Sequence, residues 1–267
     1  MKKVLLAIAG GMMALMATAQ TKYESTAPVS DTITVMTYNL RFGERGSMQR
    51  IAREIIEADA DFVALQEVDI NTIRVISRGN SGVNIISELA DRTNMFGFFG
   101  RTVDMWGGYY GVGILSKYPI VKMEKFDLSN PRNVEPRIVL CGTFELGEKR
   151  MVFAATHFDY IDPETIALQA READAYIRKQ GLPAIIAGDL NSEPGSEAIN
   201  VLDASMKRLT NGQLTFPAWE PVKAIDFIYG YPAEDFKFQE SHSPAPSADA
   251  PSDHLPVIST FVLEKGR

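Results

Sequence analysis

Six apolar runs in the sequence begin or end with a polar side chain of the kind that binds metals or transfers protons. These residues are Asn39, Glu67, His157, Asp189 with Asn191, Asp226, and Asp253 with His254. A single residue of this kind usually forms a turn or caps a helix. Because the ends of neighbouring strands lie along one edge of a sheet, six repeats of the pattern predict a shared site there.

The residue types in this set meet the requirements of phosphate-ester hydrolysis. Carboxylate and amide oxygens are the ligands that Mg²⁺ prefers, and histidine accepts or donates a proton near neutral pH. Phosphoryl transfer needs a cation to neutralise developing charge and a base to activate water. The sequence has neither a Cys/His cluster at zinc spacing nor a glycine-rich nucleotide loop. Zinc hydrolases and nucleotide-cofactor enzymes are therefore not favoured.

Hydrophobic periodicity predicts the elements that position these residues. The predicted strands cover residues 32–38, 62–65, 96–101, 111–115, 120–126, 137–144, 151–156, 183–188, 225–229, 236–240 and 257–263. The predicted helices cover residues 48–58, 83–90, 163–179 and 195–202. This mixture favours a layered α/β domain with largely antiparallel sheets over a regular doubly wound fold.

Residues 1–19 are typical of a secretory signal. Lys2 and Lys3 precede an apolar run that ends in Ala17-Thr18-Ala19. The run is short and contains glycines, which disfavours a membrane anchor, and no cysteine follows it to carry a lipid. We expect a bacterial protein exported to the periplasm or the medium, without an integral membrane segment after cleavage. A flexible lead-in over residues 20–31 then precedes a catalytic domain over residues 32–265.

The composition limits the domain count and the partners. The chain has 267 residues and is 45% hydrophobic, so a single domain can bury a sizeable core. Cys141 is the sole cysteine, which excludes an intramolecular disulfide. The net charge falls from −7 to −9 when Lys2 and Lys3 leave with the signal. Because duplex DNA is held by basic groups that neutralise its phosphates, we expect no stable binding of duplex DNA. We also expect a monomer.

Eight motifs carry a resemblance to a known family. They are TYNLRFG, LQEVD, YYGVGILSKYPI, EPRIV, THFD, GDLNSEPGS, DFIYG and SDHLPV, and they span residues 33–262. In this order the motifs resemble those of the endonuclease/exonuclease/phosphatase superfamily. The resemblance implies a four-layer α/β sandwich of two packed, mainly antiparallel sheets flanked by helices. It also implies one active site at the sheet edge and a requirement for Mg²⁺ or Mn²⁺.

The resemblance assigns roles to the residues at the strand ends. Glu67 is the principal metal ligand, with Asn39 and Asp253 close to the metal. His254 acts as the general base or orients the attacking water, and Asp226 pairs with it and fixes its tautomer.

Four further residues receive roles around the substrate phosphate. Asp189 and Asn191 position the nucleophile and the phosphate. His157 and Arg137 contact the phosphate oxygens, although a surface salt bridge is the alternative for Arg137. Tyr110 matches a Tyr-Gly motif near the site.

Two residues outside the strand ends complete the sequence-based expectations. Trp106 is expected either to face the substrate or to pack within its loop. Arg74, in the polar segment after LQEVD, either reaches the substrate or faces water, and water is favoured.

The leading hypothesis is an exported, metal-dependent hydrolase of phosphodiesters or phosphomonoesters. Within it a nuclease acting on DNA or RNA, a sphingomyelinase-like activity and a sugar- or inositol-phosphate activity stay open. A non-catalytic binding module with the same fold is the alternative of a different class. The retained set of Glu67, Asp189, Asn191, Asp253 and His254 disfavours that module. A carboxylate-pair glycosidase would not need the two histidines.

Overall fold

The computed structural model describes residues 32–77 and 79–264. The predicted export signal (1–19) and lead-in (20–31) lie outside the described residues. No helix in the described part of the chain is long and apolar enough to cross a membrane.

Twelve strands and four α-helices form the described domain. The strands are β1 (Thr32–Asn39), β2 (Phe62–Ile70), β3 (Phe96–Met105), β4 (Gly108–Ser116), β5 (Ile120–Asp127), β6 (Ile138–Leu146), β7 (Lys149–His157), β8 (Ala184–Asp189), β9 (Lys207–Arg208), β10 (Asp226–Tyr231), β11 (Phe236–His242) and β12 (Val257–Leu263). The helices are α1 (Met48–Glu57), α2 (Ile85–Thr93), α3 (Pro163–Arg178) and α4 (Glu197–Ser205). Short 3-10 turns occupy Arg41–Gly43 and Ala233–Asp235.

The strands form two mixed sheets of six strands each. The first sheet has the order β11-β12-β1-β2-β4-β3, and the second has the order β5-β6-β7-β8-β10-β9. Each sheet contains one parallel pair, β1 with β2 and β7 with β8, and its other pairs are antiparallel. The carboxyl ends of the parallel strands therefore meet at one edge of each sheet. Antiparallel β10 and β12 begin at the same edges, beside the ends of β8 and β1.

The core lies between the two sheets. Val35 and Phe62 of the first sheet pack in one apolar cluster with Phe153 and Ile185 of the second. The rings of Phe62 and Phe153 stack with centroids 5.0 Å apart. Helices α1 and α2 bury their apolar residues against the outer face of the first sheet, and α3 and α4 cover the second. The predicted four-layer sandwich is confirmed.

The helix starts follow from capping chemistry. Asp162 accepts a hydrogen bond from the Thr165 amide, and Pro163 fills the first helical position of α3, where a proline costs no hydrogen bond. Ser196 caps α4 in the same way, so that helix begins at Glu197, two residues beyond the predicted start. The two residues of β9 were not predicted because so short a strand carries no periodic signal.

Candidate active site

The facing edges of the two sheets gather the predicted site residues around one open cleft of about 580 Å³. The predicted residues that line it are Glu67, Tyr110, Arg137, His157, Asp189, Asn191, Asp253 and His254. Asn39 and Asp226 lie beneath them and are buried, with 0% and 2% of their surfaces exposed. The convergence expected from six strand ends is therefore present.

Glu67 differs from its predicted position at the end of a strand. Strand β2 continues to Ile70, and its register against β4 shifts between Leu65 and Val68. Glu67 lies in this bulge with a φ of 55°, in the left-handed region. A bulge re-aims one side chain of a strand, and here it brings Glu67 into the cleft. The alternation of apolar residues did not predict this irregularity.

Asn39 connects the two sheets beneath the cleft. Its Nδ2 donates to Glu67 Oε1 at 3.1 Å and to Asp189 Oδ2 at 3.0 Å. Its Oδ1 accepts from the Arg41 amide at 3.0 Å. The amide nitrogen thus faces the carboxylates and holds them in place. A role for Asn39 close to a metal stays a prediction.

Arg41, in the loop after β1, holds Asp253 in place. Arg41 Nη1 donates to Asp253 Oδ2 at 2.5 Å, and Arg41 also pairs with Glu44. Arg41 and Phe42 have φ values of 43° and 44°, which residues other than glycine rarely adopt. This strained turn aims Arg41 at Asp253, and strain of this kind is characteristic of functional sites.

The predicted contact between His254 and Asp226 is present. His254 Nδ1 lies 3.0 Å from Asp226 Oδ2, which also accepts from Thr215 Oγ1 at 2.6 Å. Phe216 packs on the imidazole with ring centroids 4.8 Å apart. The ring of His254 is therefore fixed at one nitrogen and on one face, which leaves Nε2 directed toward the cleft.

Asp189 occupies the centre of the polar cluster. Its Oδ2 lies 3.6 Å from His157 Nε2 and 3.7 Å from His254 Nε2. Its Oδ1 accepts from the Asn191 amide at 2.9 Å, and the Asn191 side chain donates to the Phe158 carbonyl. Both imidazoles and the carboxylate can therefore act on one small group placed above them.

Burial and neighbouring charges shift the pKa values of Asp189, His254 and His157. Burial and the charge of Asp226 raise the pKa of Asp189 well above its usual range. Burial opposes the charged form of His254, but Asp226 and Asp189 outweigh it and raise its pKa. Burial, Arg137 and His254 lower the pKa of His157. At neutral pH His254 is therefore a cation, His157 is neutral, and Asp189 titrates far above an exposed aspartate.

The sequence predicted Arg74 at the surface and left a surface position open for Arg137, but both arginines are buried. Arg137 is 3% exposed, lines the cleft, and pairs with Glu135 at 3.1 Å, so the surface salt bridge is excluded. The expectation that Arg74 faces water is wrong, since it is 8% exposed. Arg74 Nε donates to Asp69 Oδ2 at 2.6 Å, and the rings of Phe42, Trp106 and Tyr110 surround its guanidinium. Attraction to the aromatic faces compensates the loss of water.

Two sets of side chains offer oxygen or nitrogen ligands to a divalent cation. Ligand atoms of Asp189, Asp226 and His254 lie within 4.8 Å of one another, but these groups already bond to one another, to Thr215 or to Asn39. Glu67 is different, because Asn39 bonds to Oε1 and no described residue donates to Oε2. Burial and the charge of Asp253 raise the pKa of Glu67, while the Asn39 hydrogen bond and the charges of His254 and Arg41 oppose this shift. Glu67 therefore offers a hard divalent cation a free carboxylate oxygen, whereas Asp253 is already paired with Arg41.

The sandwich and its edge cleft define the DNase I-like class of fold. The chain belongs to the endonuclease/exonuclease/phosphatase family, whose model matches residues 36–254. Members of this family are hydrolases that act on phosphate esters and use divalent metals.

Three solved structures illustrate the likeness. The endonuclease/exonuclease/phosphatase from Bacteroides vulgatus is 21% identical, with a TM-score of 0.72 over 87% of this chain and 99% of that one. A mannosyl-6-phosphatase from Bacteroides thetaiotaomicron is 20% identical, with a TM-score of 0.66 over 86% and 99%. The human Nocturnin catalytic domain with bound sulfate is 18% identical, with a TM-score of 0.66 over 86% and 93%. At these identities the likeness establishes the shared fold.

Several residues of the site had no role assigned from the sequence. Arg41, Glu135 and Ser252 lie inside the quoted motifs, so their positions were marked although their contacts were not. Ser252 Oγ donates to the Asn39 carbonyl at 2.6 Å and ties the SDH segment to the end of β1. Thr215 lies in an irregular loop with no motif, and no sequence signal pointed to its bond with Asp226.

Proposed function

We propose that this protein is an exported, divalent-metal-dependent phosphoesterase that hydrolyses small phosphate esters by attack of water. The observation that carries the proposal is the convergence of Glu67, Asp189 and the His254–Asp226 pair on one cleft. A non-catalytic module would not need three buried acids and two buried histidines so close together, because such burial costs stability.

Different residues of the cleft transfer the proton and stabilise the developing charge. Asp189 takes the proton of the attacking water, because its raised pKa suits a general base near neutral pH. The bond between phosphorus and the ester oxygen breaks, and the alcohol leaves with a proton taken from the solvent. The His254 imidazolium donates from Nε2 to the phosphate, and Asp226 holds its other nitrogen. His157 and the buried Arg137 add donors on the same side of the cleft. Pre-positioned donors of this kind stabilise the charge that develops during transfer.

Glu67 is the residue that would hold the cation, through its free carboxylate oxygen. When bound, the cation neutralises charge on the phosphate oxygens. Asn39 positions Glu67 and Asp189 for this arrangement through its two hydrogen bonds.

A small substrate fits the charge of the molecule better than duplex DNA does. The chain carries a net charge of −7, and the cleft itself contains Glu135 and Glu193 beside the predicted metal ligands. A structurally similar protein supports the same class, since it is a mannosyl-6-phosphatase.

Export is supported by the N-terminal sequence. Lys2 and Lys3, the apolar run and Ala17-Thr18-Ala19 together form the pattern of a cleaved signal. We expect the mature protein to begin near Gln20 outside the cytoplasm. N-terminal sequencing of the protein recovered from the periplasm or medium checks this, and an intact Met1 there would contradict it.

The central test removes the metal and its principal ligand. Phosphate esters, including phenyl phosphate, are assayed with Mg²⁺, with Mn²⁺ and with EDTA. We expect activity only with a divalent cation and near-complete loss in Glu67→Gln, because the neutral amide attracts the cation far less. The melting temperature should change little, since the amide keeps the shape of the side chain and an oxygen that can accept from Asn39. Full activity in excess EDTA would contradict the proposal.

A further inference from the structure

The cleft extends beyond the phosphate-binding residues into a second half that the proposed chemistry does not use. This recognition half is lined by Phe42, Arg74, Tyr110, Glu135 and Tyr160. Tyr110 lines it and pairs with Asp69 of β2, two residues from the predicted metal ligand Glu67. Burial raises the pKa of Tyr110, and the charges of Glu67 and Glu135 raise it further, while Arg137 and Arg74 oppose them. Charges of both signs therefore surround the Tyr110 hydroxyl.

Arg74 offers the recognition half a fixed hydrogen-bond donor. Asp69 holds its Nε at 2.6 Å and its Nη2 at 3.2 Å, and the ring of Phe42 lies 4.1 Å from the guanidinium carbon. Its Nη1 donates to no residue in the described part of the chain. Because Asp69 already neutralises the guanidinium, this edge suits a neutral acceptor such as a hydroxyl better than a second phosphate.

Glu135 offers the matching acceptor. Its side chain is 29% exposed and lies 3.1 Å from Arg137. Among the described residues Arg137 is its ion-pair partner, but no group donates a hydrogen bond of regular geometry to its Oε1. A carboxylate in this position accepts from hydroxyl groups.

Aromatic rings line the cleft beside Arg74 and beside Arg137, the partner of Glu135. Phe42, Tyr110 and Tyr160 all line the cleft, and Tyr160 is 64% exposed. The face of an aromatic ring is electron-rich and attracts the weakly positive C–H groups on the face of a sugar or cyclitol ring. Ring faces combined with planar polar side chains suit an alcohol with hydroxyls around its rim and C–H groups on its faces.

We propose that the alcohol released by this enzyme is a cyclic polyol, a sugar or an inositol, whose hydroxyls bind Arg74 and Glu135. The inference rests on the proposed phosphoesterase function and specifies its substrate. A polynucleotide fits less well because the net charge of the chain is −7, although Arg41 and Lys223 also line the cleft. A lipid alcohol would leave Glu135 without a hydrogen-bond donor.

The test compares two esters that share the phosphate and differ in the alcohol. Glucose 6-phosphate carries ring hydroxyls, and phenyl phosphate carries none. With Mg²⁺ we expect Glu135→Gln to raise KM for glucose 6-phosphate by about 10-fold, as for the loss of a hydrogen bond to a charged group. Because Glu135 also pairs with Arg137, KM for phenyl phosphate should rise too, but far less than KM for glucose 6-phosphate. Glu148→Gln, an exposed carboxylate in the turn between β6 and β7, is the matched control and should change neither ester.

The outcomes separate the inference from the proposed function. Equal losses on both esters in Glu135→Gln, or a wild-type preference for nucleotides or phospholipids over sugar and inositol phosphates, would overturn the inference while leaving the phosphoesterase intact. If wild-type protein hydrolyses no ester with a divalent cation, the proposed function fails. Calorimetric binding of glucose 6-phosphate then decides the inference, because an affinity unchanged in Glu135→Gln would reject it and a roughly tenfold loss would support it.

Discussion

Individual residues of the site act in pairs, and the clearest pair is His254 with Asp226. Asp226 fixes His254 Nδ1 at 3.0 Å and sustains its positive charge. We expect His254→Ala to lower kcat by about 10²–10³-fold, as for the loss of an oriented donor. Asp226→Asn should lose much of the rate with little change in KM.

Combining the two changes tests whether the residues form one unit. The double variant should lose far less than the product of the two single losses, because either change alone disables the same donor. Steady-state kinetics of the four proteins measure this. Fully multiplicative losses would show that Asp226 does not act through His254.

The protonation states assigned to Asp189 and His254 predict the pH profile. Asp189 must be deprotonated to accept a proton, so kcat/KM should rise with pH through its raised pKa. His254 must stay protonated, so the rate should fall as pH passes through its own raised pKa. We expect an acidic limb near neutrality, well above the value of about 4 for a free aspartate. In Asp189→Asn the acidic limb should disappear, and an unchanged limb would contradict this assignment.

At the scale of elements, close packing of parallel strands β7 and β8 sets the position of the cluster. Thr156 pairs with Gly188, and His157 pairs with Asp189 one step further. A Cβ atom added at Gly188 would lie 2.1 Å from the Thr156 carbonyl oxygen. Glycine is therefore required where the two strands approach each other, next to the residues that perform the chemistry.

Gly188→Ala should separate these strands and damage both stability and activity. We expect the free energy of unfolding to fall by about 1–3 kcal/mol, as for overpacking, with a larger drop in kcat than in melting temperature. Gly195→Ala is the control, since no atom lies within 4 Å and only its φ of +91° is strained. Urea denaturation and kinetics of both variants check this, and equal behaviour would show that the contact at Gly188 does not matter.

At the scale of the whole molecule, net charge governs the encounter with polyanions. The chain carries a charge of −7, or −9 without the predicted signal, so few counterions would be released on binding to DNA. We expect weak or no binding of duplex DNA at physiological salt, measured by fluorescence anisotropy across a salt series. Tight binding that weakens steeply with salt would show that a local basic surface overrides the net charge.

The sequence by itself determined the layered α/β architecture, the assignment of eleven of the twelve strands and the residue types of the site. Local signals sufficed because the hydrophobic periodicity and the capping residues that define a strand or helix lie within that element. Asn39, His157 and Asp189 stand at strand ends as the pattern predicted, and Asp226 opens β10.

Only the tertiary structure decided how these residues meet. Asn39 bonds to Asp189 across 150 positions of sequence, and no local pattern encodes a contact of that range. The bulge that turns Glu67 into the cleft, the burial of Arg74 among three rings and the bond of Thr215 to Asp226 likewise depend on how the sheets and loops pack. Side-chain orientation and protonation arise from those neighbours, because burial and nearby charge, not residue type, fix which groups are ionised.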